Sequence, residues 1–150
     1  MTRIAPRAVA RLVLALAYFA AGVLHLVLPE PFLTITPGWV PAPEQVIRLT
    51  GVVEIAGAIG LMIPRLRRAA GIGLALYAVC VFPANIKHAM DNLSTGNGLG
   101  LAYHLPRLML QPVIVWWALW AGLVVDWPFR NRVHGRQAAW RVPPISMDRI

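Results

Sequence analysis

The residue most able to do chemistry is Glu54, which lies alone inside the apolar run 49–63, LTGVVEIAGAIGLMI. An isolated carboxylate in such a run is costly in lipid, so it faces a packed interior or a wet cavity and marks a functional site. On a helix, Gly51, Gly57 and Ala58 share its face, and small residues there let a neighbouring helix come close. Its chemistry is proton handling or the orientation of a bound group. The alternative is a buried ion pair with Arg107 or Lys87 that locks the fold.

The other polar residues within or beside apolar runs are His25, Asn85, Lys87, His88, His104, Arg107 and Gln111. His104, Arg107 and Gln111 fall on one helical face, at spacings of three and four. Each also has a plain structural role. His25 suits a hydrogen-bonded core histidine, and His88 and His104 suit the membrane interface. Lys87 and Arg107 suit snorkelling to headgroups. Asn85, just after Pro83, suits capping of carbonyls freed by a bent helix. There is no HxxxH or HxxE pair, no Ser/His/Asp array and no phosphate loop, so no metal site is expected. The single cysteine, Cys80, excludes an internal disulfide and any CxxC motif, and reads as a buried small hydrophobe.

The elements that must position these groups follow from composition. The 150 residues are 58% hydrophobic and only 13% charged, with a mean hydropathy of +0.62. A soluble domain carries nearer a quarter charged residues. These values predict an all-α integral membrane protein in the lipid bilayer, with about four spans of about 20 residues. The net charge of +8 does not indicate a nucleic-acid partner, because the arginines flank apolar runs instead of lining a soluble face.

Four spans are expected, at about 9–28, 46–63, 69–88 and 103–125. Between the first two lies 29–45, with Pro29, Pro31, Pro37, Pro41 and Pro43 around Phe32 and Trp39. So many prolines argue against a regular helix and for a loop lying on the bilayer surface. Pro83 should kink the third span and Pro112 the fourth, with Pro106 tolerated in the fourth span's first turn. Residues 91–100 read as a polar loop. Residues 1–125 form the membrane domain. Residues 126–150 read as a basic cytoplasmic tail, flexible by composition, with a surface-lying segment near Trp140 and no role assigned to His134.

Lysine and arginine placement orients the bundle. With both termini cytoplasmic, eleven of the fourteen basic residues lie inside: three before the first span, three in 65–68 and five in the tail. Glu54 then lies roughly 8 Å below the outer end of the second span. His25, Asn85, Lys87, His88, His104, Arg107 and Gln111 reach the same outer-leaflet level. A quinone fits such a pocket, with its carbonyls accepting hydrogen bonds and its tail in lipid. A transporter fits poorly, because no polar path crosses the apolar inner half.

Several stretches resemble the DoxX-like family of small bacterial four-helix membrane proteins. They are AAGVLHLVLPEPF (20–32), PGWVPAP (37–43), LTGVVEIAGAIGLMIPRLRRAAGIGL (49–74), VFPANIKHAM (81–90) and RLMLQPVIVWWALW (107–120). The fourth-span motif departs from the RLPLQ of many relatives. The resemblance implies a multi-pass protein of the bacterial inner membrane, associated with quinone-linked or thiol redox complexes. It would be an accessory subunit with a redox protein partner more than an enzyme alone. The family's polar positions fall on His25, Glu54, Asn85, Arg107 and Gln111. The competing expectation is a non-catalytic assembly or chaperone-like factor with a purely structural polar cluster.

Overall fold

The computed structural model describes residues 6–96 and 100–127. These residues form five helices: α1 (Pro6–Val27), α2 (Glu30–Ile35), α3 (Pro43–Met62), α4 (Arg67–Thr95) and α5 (Leu101–Ala121). Among the described residues there is no strand. α1, α3 and α4 are long and apolar enough to cross a membrane. Their outward faces carry Leu16, Val52, Leu76 and many other large apolar side chains, the surface that lipid covers.

The boundaries follow local chemistry. α3 starts at Pro43, whose missing N–H costs nothing in a first turn, and ends just before Pro64. α4 stops at Gly96, whose φ of 63° supplies the left-handed residue of a helix C-terminus. Three expectations are corrected here. The proline-rich connection is not wholly irregular, because α2 forms within it with Pro31 in the first turn. The polar stretch 91–95 is the end of α4, not a loop. Its Ser94 and Thr95 hydroxyls donate to the Asp91 carbonyl within the last turn. α5 likewise begins before Tyr103, which puts Pro106 inside the helix and not in its first turn.

The long helices run up and down. α1 packs chiefly on α3 and α4 on α5, with α3 on α4 and α1 on α5 closing the ring. Both main pairs touch through glycine. A Cβ on Gly22 would lie 2.6 Å from the Gly51 carbonyl oxygen, and one on Gly71 would lie 2.8 Å from the Gly122 Cα. Contact this close between backbones is how small residues bind apolar helices where lipid removes the hydrophobic drive. Leu14, Ala15, Leu61, Leu74 and Ala118 fill the core.

Arginines close one end of the bundle. The Arg11 Nε donates to the Ala121 carbonyl at 2.8 Å, and Arg67 donates to the carbonyls of Leu61 and Met62. These are the orphan acceptors of the α5 and α3 C-termini, where positive charge also meets the helix dipole favourably. Arg7 pairs with Asp126, and the Trp117 indole donates to the Ala10 carbonyl. The end expected to be apolar therefore holds polar groups. Arg11 belongs to α1 and is buried. Arg3, and the tail with its segment near Trp140, lie outside the described residues.

Candidate functional site

The opposite end of the bundle holds a cavity of about 440 Å³, a size that fits a small organic ligand. Most of its wall is apolar, from α1, α3, α4 and α5, and the segment 32–40 contributes Phe32, Trp39 and Val40. Its polar lining contains His25, Glu54, Asn85, Arg107 and Gln111, together with Thr50, Tyr18 and Tyr77.

Glu54 is 4% exposed. The expected ion pair with Arg107 or Lys87 does not form. Its partner is His25, whose Nδ1 lies 2.9 Å from Glu54 Oε2. The Gly22–Gly51 crossing explains this, since it brings α1 against the same face of α3, one turn from the carboxylate. The His25 Nδ1 also lies 2.9 Å from the Ala21 carbonyl oxygen. A carbonyl only accepts, so Nδ1 carries the proton, and that proton aligns with Ala21. Phe32 of α2 stacks on the imidazole, with ring centroids 3.8 Å apart, and holds the ring in place. The Tyr77 hydroxyl reaches both Glu54 and Thr50.

A second set crosses the cavity wall between α4 and α5. Arg107 Nη2 donates to Asn85 Oδ1 at 2.7 Å, and Asn85 Nδ2 donates to Gln111 Oε1 at 3.1 Å. Gln111 Nε2 in turn donates to the Ala78 carbonyl. Asn85 was expected to cap the carbonyls around Pro83, but Gln111 from the next helix supplies the donor. The chain runs in one direction, with each amide donating onward, so every amide orientation in it is determined.

Three of the proposed ligand-binding residues do not reach the cavity. Lys87 pairs with Asp91 one turn along α4. His88 and His104 instead flank Asn92, whose Nδ2 lies 3.1 and 3.2 Å from their Nε2 atoms. His104 is 1% exposed, packed inside the bundle. Among the described residues, no group of three or more His, Cys, Asp or Glu side chains is placed to hold a metal ion. Cys80 is exposed and lines the cavity, not a buried hydrophobe, because residue 80 lies two positions past the buried Ala78 on α4.

Sequence reasoning missed Tyr77, Tyr18, Thr50 and Asn92. Tyr77 and Tyr18 sit in apolar runs, where an aromatic draws no attention. Only the pairing of α1 and α4 around α3 turns them toward Glu54, where their rings meet edge to face at 6.2 Å. The signal available for Asn92 was its spacing of four from His88.

A family model described as "Domain of unknown function (DUF8561)" matches residues 14–122, which include all four long helices' packed segments. No curated protein and no solved structure matches the chain.

Proposed function

We propose, for a chain that belongs to the family of this domain of unknown function (DUF8561), that the cavity binds the ring of a quinone-type molecule. One observation carries the reading. Among the described residues, Glu54, His25 and Arg107 are the only acidic or basic side chains on the wall of a 440 Å³ apolar cavity, and these sit beside two amides from facing helices. Such a wall offers a flat apolar ring few but directional polar contacts. Glu54 handles protons, His25 and Tyr77 hold it in place, and the Arg107–Asn85–Gln111 chain orients the ligand's far oxygen.

In this reading α5 is a fourth span, both termini are cytoplasmic, and the cavity lies in the outer leaflet of a bacterial inner membrane. The bias of basic residues toward one side supports that orientation. The resemblance to DoxX-like proteins supports a redox setting, with the chain serving as an accessory to a quinone-linked partner. The test is mass spectrometry of an organic extract of the gently purified protein. Stoichiometric quinone, lost in both Glu54→Gln and Arg107→Ala, supports the site. A stable protein without quinone, and without affinity for added quinone, refutes it.

A second reading is a non-catalytic assembly factor, and the Arg107–Asn85–Gln111–Ala78 chain favours it. That chain ties α4 to α5 and works as a structural lock without any ligand. In this case Asn85→Leu lowers stability, and a partner protein co-purifies with no quinone present.

A further inference from the structure

Arg11, at the end of the bundle opposite the cavity, is 8% exposed, and among the described residues no carboxylate pairs with it. Its hydrogen bond runs from Nε to the Ala121 carbonyl. Both Nη atoms lack a partner among the described residues, but neither is fully enclosed, so the outer edge of the guanidinium fork can be reached. The charges that act on it are those of Arg7 and Arg67. Both converge on the same end of α5. Arg7 donates to the Val125 carbonyl and to Asp126, and its guanidinium lies 4.9 Å from the Trp120 ring centre. The Arg67 carbonyl oxygen lies 2.8 Å from where a Cβ on Gly122 would stand. The charges here do not balance. Against three guanidinium groups, Asp126 returns one negative charge, and the α5 and α3 C-termini that Arg11 and Arg67 serve return about half a charge each. About one positive charge is left over, and Arg11 holds its share out of water, where an unpaired ion is expensive. Residues 128–150 do not offset it, since they carry five arginines and one aspartate.

We infer that the Arg7–Arg11–Arg67 cluster binds a phosphate group, that of an anionic phospholipid. A guanidinium fork matches phosphate oxygens two at a time, and a phosphodiester carries the single negative charge that is missing. The depth suits a headgroup. Trp116, Trp117 and the exposed Trp127 stand at this end, as aromatics do at a membrane–water interface, and the Trp117 indole reaches the Ala10 carbonyl beside Arg11. Val9 and Leu12, exposed on α1 on either side of Arg11 in the chain, offer the acyl chains an apolar surface. The site is separate from the cavity and does not depend on what the cavity binds.

Native mass spectrometry of the full chain in a neutral detergent tests this, with phosphatidylglycerol, phosphatidylcholine and inorganic phosphate as probes. One phosphatidylglycerol per chain should be retained about tenfold more tightly than phosphatidylcholine, whose choline meets the surplus arginine charge. Arg11 also serves the α5 C-terminus, so variants at Arg7 and Asp126 carry the test. Arg7→Gln should weaken phosphatidylglycerol binding about fivefold. Asp126→Asn should strengthen it by about as much, because Arg7 is then free of its competing carboxylate. Arg68→Gln makes the same charge change at an exposed position that does not act on Arg11, and should leave binding within about twofold. Equal retention of the two lipids, or an equal loss in Arg7→Gln and Arg68→Gln, overturns the site. Weaker binding in Asp126→Asn overturns the charge balance behind it. Inorganic phosphate that binds without lipid and displaces phosphatidylglycerol assigns the cluster to a soluble phosphate and overturns the lipid.

Discussion

The same substitution, glycine to alanine, is expected to have opposite signs at two helical positions. At Gly51 the new Cβ lies 2.8 Å from the Gly22 carbonyl oxygen and 3.0 Å from the His25 Cβ. The first neighbour is backbone and cannot rotate away, so α1 and α3 must part by about 0.6 Å to restore ordinary contact. Overpacking of this kind costs about 1–3 kcal/mol. At Gly73 a Cβ meets nothing within 4 Å. There only the helix propensity of alanine counts, a gain of about 1 kcal/mol. That gain is common to both sites, so the difference between Gly51→Ala and Gly73→Ala isolates the crossing at about 1–3 kcal/mol. Unfolding by SDS titration, followed through the intrinsic tryptophans, measures it. Gly22→Ala probes the same contact, and the Gly22→Ala/Gly51→Ala double variant should cost less than the two singles together. Gly51→Ala should also weaken quinone binding, because parting the helices carries His25 away from Glu54. If Gly51→Ala and Gly73→Ala unfold within about 0.5 kcal/mol of each other, the glycine crossing does not hold α1 on α3.

Arg11→Met removes the donor that serves the Ala121 carbonyl and should cost about 1.5–3 kcal/mol in the same titration, with little recovery in Arg11→Lys, which lacks an Nε donor. Gln111→Leu takes the side-chain donor from the Ala78 carbonyl and the acceptor from Asn85 Nδ2, so a loss of about 1–3 kcal/mol should appear as a lower melting temperature in detergent. Cys80 should react with N-ethylmaleimide in the intact protein and be protected by a bound quinone, because the thiol is exposed and borders the cavity; unchanged labelling at saturating quinone would place the ligand elsewhere. In a Cys80→Ser background, Ser94→Cys should be labelled by a membrane-impermeant maleimide from the outside only, and labelling from the cytoplasm would reverse the proposed orientation.

The long helices were legible because their signals are local: apolar runs of span length, punctuated by proline and glycine. The ends were less so. Asp91–Thr95 has loop composition, yet it is helical because α4 continues through Pro83 and stops only at Gly96. The residues facing the cavity were partly legible. Polar groups in apolar runs stand out, which marked His25, Glu54, Asn85, Arg107 and Gln111. Their partners were not legible, because partner choice depends on which helices touch. Glu54 has opposite charges in the sequence at Lys87 and Arg107, but the glycine crossing sets it against α1 and gives it a histidine. Tyr77 was hidden for the reverse reason, being an aromatic inside an apolar run.

The separation of Glu54 from Arg107 carries the most functional weight. Opposite charges in a low-dielectric interior attract strongly, and a direct pair would offset much of the cost of burying both. Among the described residues these two do not pair, although both line one cavity. Arg107 is held back by Asn85, which Gln111 holds in turn, and Glu54 is held back by α1 and the imidazole under Phe32. A purely structural lock would have no use for the gap, since closing it would pair the two charges at once. Packing on both sides keeps the gap open, and a polar ligand spanning it would recover the interaction the two charges forgo. That reasoning leads to a double variant. Glu54→Met with Arg107→Met removes both charges, should leave the bundle at least as stable in SDS titration, and should abolish ring binding. A double variant much less stable than either single would mean that the two charges support the fold across the cavity, and the structural reading would then prevail.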